Sequence, residues 1–115
     1  MAKENEFVAH VRDVLAPFGD GPESLRVRSM FGGFGIFLGD TMFVLIADDV
    51  LYFKVDDQTQ ADFEDAGAQP FTFMRGGKAR QMSYYTAPDG AVEDPETLHP
   101  WAERAIGAAK RNRKR

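Results

Sequence analysis

The chain has 115 residues, 43% of them hydrophobic and 28% charged, with ten Phe and no Cys. That is the size and balance of one compact domain, and the missing cysteines exclude a disulfide framework, a thiolate metal centre and a Cys nucleophile. Lys110, Arg111, Arg113, Lys114 and Arg115 contribute +5 to a formal net charge of −4, which leaves residues 1–109 at −9. An acidic body repels a phosphate backbone, so phosphate contact is expected only at the basic run or at a local cluster of bases.

Phe7, Val8, Val11, Val14, Leu15 and Phe18 recur at helical spacing and predict an amphipathic helix from Lys3 to Phe18. Pro17 and Gly19-Asp20-Gly21-Pro22 end it. Leu25 to Met30 alternates as a strand, Gly32-Gly33 predicts a break or bulge, and Phe34 to Leu38 resumes extended structure. After Gly39-Asp40 comes an apolar strand, Thr41 to Ala47. Asp48-Asp49 then turns the chain into Val50 to Val55, giving an antiparallel meander.

Ala61, Phe63 and Ala66 predict a short helix with an Asp or Thr cap, closed by Gly67. Phe71 to Arg75 and Arg80 to Tyr85 flank Gly76-Gly77 as a hairpin, and Pro88-Asp89-Gly90 is a turn. Asp94-Pro95-Glu96 starts a last helix. Pro100 requires either a kink there or a single turn ahead of a main helix from Trp101 to Ala109. The element order is α, several β, α, β hairpin, α, an α+β domain with an antiparallel meander.

No pattern of side chains reads as catalytic, and no cofactor or metal is expected. Gly32-Gly33-Phe34-Gly35 and Gly76-Gly77-Lys78 are each followed by strand and not by a helix N-terminus, so neither reads as a phosphate loop. His10 and His99 have no second ligand at metal spacing and read as surface or capping residues. Asp48-Asp49 and Asp56-Asp57 read as turn formers. Ser29, Ser83 and Thr86 lie in no nucleophile elbow. Met82-Ser83-Tyr84-Tyr85, near Arg75, Lys78 and Arg80, has the composition of a base-stacking platform, but alternation assigns much of it to the core.

The N-terminus shows no apolar signal segment, and the longest apolar run, Met42 to Ala47, is far short of the roughly 20 residues that span a bilayer. The expected location is cytoplasmic, with no membrane contact. The domain is expected to occupy residues 1–109, with 110–115 as a basic tail.

Arg28-Ser29-Met30-Phe31-Gly32-Gly33-Phe34-Gly35-Ile36-Phe37, Leu51-Tyr52-Phe53-Lys54, Pro70-Phe71, Met82-Ser83-Tyr84-Tyr85 and Trp101 with its following alanines resemble the N-terminal domain of the TfoX/Sxy family. The resemblance implies an α+β, two-layer fold like the secretion chaperones, α-β(3)-α-β(2)-α, an antiparallel sheet with helices on one face. It further implies kinship with competence regulators that act with the cyclic-AMP receptor protein at promoters. Those regulators carry a second, C-terminal domain, where this sequence has only its basic run. The expected function is therefore a non-enzymatic regulatory or adaptor domain. Its expected partner is a protein, with the transcription machinery as the candidate, and weak DNA contact is expected through Lys110, Arg111, Arg113, Lys114 and Arg115. The alternative is a chaperone-like module that forms a homodimer through a sheet face bearing Phe37, Val44 and Tyr52.

Overall fold

The computed structural model describes residues 6–19, 25–30, 33–88 and 90–113. The expected Pro22 and Asp89 turn positions, Gly32, and the tail residues Lys114 and Arg115 lie outside them. Helix α1 spans Glu6–Leu15 and passes into a 3-10 turn over Ala16–Phe18. Strands β1 (Leu25–Met30), β2 (Gly33–Leu38), β3 (Thr41–Ala47) and β4 (Val50–Lys54) precede α2 (Gln60–Asp65), and β5 (Pro70–Arg75) and β6 (Lys78–Thr86) precede α3 (Pro95–Arg113). Four strands thus come before α2, one more than the family resemblance implies. They are the four that alternation and turn residues mark in the sequence.

The six strands among the described residues form one antiparallel sheet in the order β1-β2-β3-β4-β6-β5. Two-residue turns set much of the register. Asp48 and Asp49 have φ of 53° and 60°, as do Gly76 and Gly77 at 60° and 77°, the left-handed pair that matches the twist of a tight hairpin. Aspartate tolerates this region better than most non-glycine residues.

The β1–β2 register is unbroken from Leu25↔Leu38 to Met30↔Gly33. The expected interruption is a break between strands, β1 ending at Met30 and β2 beginning at Gly33, and the bulge lies elsewhere: β2 and β3 slip between Ile36↔Val44 and Phe37↔Met42, so Phe43 is an extra residue. Gly33 answers a different need, because a Cβ built there would lie 2.0 Å from the carbonyl oxygen of Ile46. Only a residue without a side chain lets β2 approach β3 this closely.

Helices α1, α2 and α3 cover one face of the sheet. Val8, Val11 and Leu15 of α1, Phe63 of α2, and Leu98, Ala102 and Ala105 of α3 pack on Leu25, Ile36, Phe43, Val44, Ile46, Leu51 and Phe53. Alanine along the inner stripe of α3 removes side-chain bulk where the helix crosses β3 and β4. Phe63 is the hub, with its ring centroid 4.7 Å from that of Trp101, 6.3 Å from Phe53 and 6.4 Å from Tyr85.

Helix α3 is continuous through Pro100. Asp94 caps its start: its carboxylate accepts the Glu96 N–H at 3.1 Å and the Thr97 hydroxyl at 2.7 Å. Pro100 sits early in the helix and is exposed, so water can reach a carbonyl deprived of its partner. The same helix carries Lys110 to Arg113, expected as a tail beyond the domain, in its last turn. No helix among the described residues is long and apolar enough to cross a membrane.

Candidate interaction surface

The sheet face away from the helices is a second apolar layer, and no helix among the described residues lies over it. Leu45, Ala47, Phe71 and Tyr84 are buried there, and half-buried Met30, Met42, Tyr52, Phe73 and Met82 pack against them. Tyr84 lies across the sheet: its hydroxyl donates to the carbonyl of Met42 at 3.3 Å, from β6 over β4 to β3. Burial raises the Tyr84 pKa. Phe71 reaches over β6 to meet Tyr52 edge to face, with ring centroids 5.0 Å apart.

Cations cover parts of this layer. The Arg26 and Arg28 guanidinium carbons lie 5.6 and 5.8 Å from the centroid of Phe37, and Lys54 Nζ lies 5.4 Å from that of Tyr84. Each pairing is a cation–π contact, which lets a ring stand near water while the charged head stays hydrated. Burial depresses the Lys54 pKa, and neighbouring Asp56 opposes that shift.

The register assigns the charge systematically. The six strands contain Arg26, Arg28, Lys54, Arg75, Lys78 and Arg80 but no Asp or Glu. Arg26 and Arg28 share Phe37's side of the sheet, Lys54 stands opposite Tyr84, and Lys78 has the parity of Met82 and Tyr84 along β6. Pairing sets Arg75 against Lys78 and Phe73 against Arg80. The Asp and Glu side chains among the described residues lie in helices, turns and loops. Asp40, in the β2–β3 turn, meets Arg26 at 3.8 Å, with both side chains largely exposed.

The expected surface of Phe37, Val44 and Tyr52 is therefore only partly assembled. Phe37 and Tyr52 lie on the open side, half-buried. Val44 is fully buried beneath the helices, because the bulge at Phe43 reverses the alternation of β3 beyond that point.

The basic run is also divided. Arg111 forms a two-pronged ion pair with Asp56, from Nε to Oδ2 and from Nη2 to Oδ1 at 3.1 Å, so its charge is already engaged. Lys110 lines an open cavity of about 620 Å³ with Leu38, Thr41, Phe43 and Ile106, on the helix side of the sheet. Arg113 closes α3.

The other polar candidates serve the backbone. A ring N–H of His99 donates to the Val14 carbonyl at 2.8 Å, capping α1, and the ring packs edge to face on Phe18 at 5.0 Å. His10 Nε2 meets the Val92 carbonyl at 3.2 Å. Thr86 Oγ1 accepts the Gln69 N–H at 3.0 Å. Asp56 accepts the Gln58 N–H at 3.0 Å and the Thr59 hydroxyl at 3.2 Å, ordering the entry to α2. Among the described residues no three acidic or His side chains converge as metal donors.

Sequence reasoning found the bases of β5 and β6 but missed Arg26 and Arg28 as partners of the same face. Their i, i+2 spacing on a strand opposite a Phe was the available signal.

The fold and this surface define a small α+β domain whose distinctive feature is an uncovered, basic and aromatic sheet face. The TfoX N-terminal domain family matches residues 13–109, and the chain belongs to that family. It is also 30% identical over 79 residues to the DNA transformation protein TfoX1 of Aliivibrio fischeri (strain ATCC 700601 / ES114). That similarity covers 69% of this chain and 38% of the relative, so the chain spans well under half of that protein's length.

Proposed function

We propose that the chain is a non-enzymatic regulatory adaptor domain that works by reversible contact in the control of DNA uptake. Family membership across residues 13–109 carries this reading, and the name of the Aliivibrio fischeri relative supports the link to DNA transformation. The open sheet face supports a binding role, because a layer of half-buried Met, Phe and Tyr is the surface type that a partner completes. The partner is a component of the transcription machinery or the nucleic acid it works on, with the basic end of α3 adding weak attraction to DNA.

A homodimer through this face is the weaker reading. Isologous pairing sets a patch against its own copy, so Arg26, Arg28 and Lys54 of two chains would oppose one another at close range.

Affinity capture of the tagged chain from its native cells, with and without nuclease, tests the proposal. Recovery of transcription proteins, either directly or through nuclease-sensitive bridges, is the expected result. Recovery of neither, together with unaltered transformation in cells lacking the chain, would remove it.

A further inference from the structure

We infer that the open sheet face binds single-stranded nucleic acid, with phosphates held by Arg26, Arg28, Lys54 and Lys78 and unpaired bases laid against Phe37, Tyr52 and Phe73. The inference rests on the reading of this face as the contact surface, and it names the chemistry of the occupant.

The first argument is charge. In a chain of net charge −4, the six strands among the described residues hold six bases and no carboxylate. Those with described side chains lie on or share the register of the uncovered side. Hydration alone does not require a single sign, since alternating Glu and Lys would solubilise the face equally well. Strands of one sign, with carboxylates such as Asp40 and Asp56 confined to the adjoining turns, favour a polyanion on this side of an acidic body.

The second argument is what lies between the charges. The Arg26 and Arg28 guanidinium carbons lie 5.6 and 5.8 Å from the centroid of the same ring, so two cations flank Phe37, and a guanidinium's planar set of N–H donors can fork onto phosphate oxygens. Phe37, Tyr52 and Phe73 are half-buried, so part of each ring reaches the surface. Unpaired bases offer π faces to such rings, and each stack contributes about 1–3 kcal/mol. The bases of a duplex are stacked on one another and cannot use these rings. An acidic peptide would satisfy the cations while leaving the rings without a flat partner.

The third argument is scale. Six strands span five intervals of about 4.8 Å, or about 24 Å across. That width suits a site of at least about four nucleotides, as in other single-strand binders.

Fluorescence anisotropy of a labelled oligothymidylate of about 20 nucleotides, titrated with the full chain at about 50 and about 200 mM salt, tests the inference. Binding that weakens with salt and exceeds binding to a duplex of equal length is expected. The Arg26→Gln/Arg28→Gln variant should bind at least about tenfold more weakly and reduce the magnitude of the log–log salt slope by about 1.4, two phosphates at roughly 0.7 each. Phe37→Leu should weaken binding with the slope unchanged. Lys54→Gln, on an interior strand, gives an independent reading should the edge variant melt early. A Lys110→Gln/Arg113→Gln variant that loses more affinity than the face variants would overturn the inference in favour of the helix end. Equal or tighter binding to duplex would overturn it, as would binding to a glutamate-rich peptide but not to the oligonucleotide. In the peptide case the adaptor reading stands with an acidic protein partner, whereas empty captures together with unaltered transformation in cells lacking the chain would sink that reading alone.

Discussion

Arg111, near the end of α3, grips Asp56, 55 residues earlier, through both oxygens of its carboxylate. The pair fastens the last turn of the final helix to the segment that leads from β4 into α2. Asp56 also accepts from Gln58 and Thr59, so one carboxylate orders both the loop and the helix end.

This geometry sets an acid dependence. The Arg111 hydrogen bonds are the main cause that holds the Asp56 pKa at about 2, below its ordinary 3.8. A depressed folded-state pKa contributes stability that is complete above the unfolded value and disappears as pH falls through the folded one. The melting temperature should therefore decline from near pH 4 toward pH 2, and Asp56→Asn should flatten that decline. Partial exposure of Arg111 keeps the effect of Asp56→Asn at neutral pH to about 1 kcal/mol, or about 4–6 °C in the melting temperature for a chain of this size. An unchanged acid limb in the variant would count against the pairing.

Gly33 and Gly35 should respond differently to alanine. At Gly33 the added Cβ meets the Ile46 carbonyl oxygen at 2.0 Å, and two paired strands cannot separate locally without losing ladder bonds. A loss of about 3 kcal/mol or more is expected in urea denaturation. At Gly35 the nearest atoms belong to the Met30 and Met42 side chains at 3.0 Å, which can rotate away, so Gly35→Ala should cost only about 1 kcal/mol. Equal costs would show that the β2–β3 approach is looser than it looks.

Phe63→Ala should be the more damaging change in the helical layer. Its side chain is fully buried and touches rings from β4, β6 and α3, so truncation leaves a cavity that rigid neighbours cannot fill. The expected cost is about 3–5 kcal/mol, a large share of the stability of a domain this small. Trp101 fluorescence during unfolding reports it directly, and a midpoint near that of the parent would contradict the hub role.

His99→Ala should loosen the first helix from the last. It removes the hydrogen bond to the Val14 carbonyl and the edge contact with Phe18. A loss of about 1–2 kcal/mol is expected, along with faster amide exchange in the last turn of α1 and the 3-10 turn that follows. Uniform exchange changes over the whole chain would argue against a local cap.

How much was legible in the sequence varied with the range of the interaction. The amphipathic stripe of α1, the Asp94 cap, Gly67 with φ of +86° behind α2 and the paired turn residues at 48–49 and 76–77 were readable because each depends on neighbours a few residues away. Val44 was misplaced because alternation assumes an unbroken ladder. The extra Phe43 shifts every later side chain of β3 to the opposite face. The α3 start was readable, but its continuity through Pro100 was not, since packing of Leu98, Ala102 and Ala105 outweighs the lost backbone bond.

By itself, then, the sequence determined the element types, their order and the turns, which follow from local periodicity and backbone preference, while the resemblance of its motifs to the TfoX family implied the layered α+β arrangement. Only the tertiary structure decided that Arg111 is held by Asp56 instead of standing free in a basic tail. It also brought Arg26, Arg28, Lys54 and Tyr84 onto one uncovered face with Phe37. The reason is physical: charges and rings from separate strands become neighbours only when the ladder fixes their register, and that register depends on a one-residue bulge and on the close approach at Gly33.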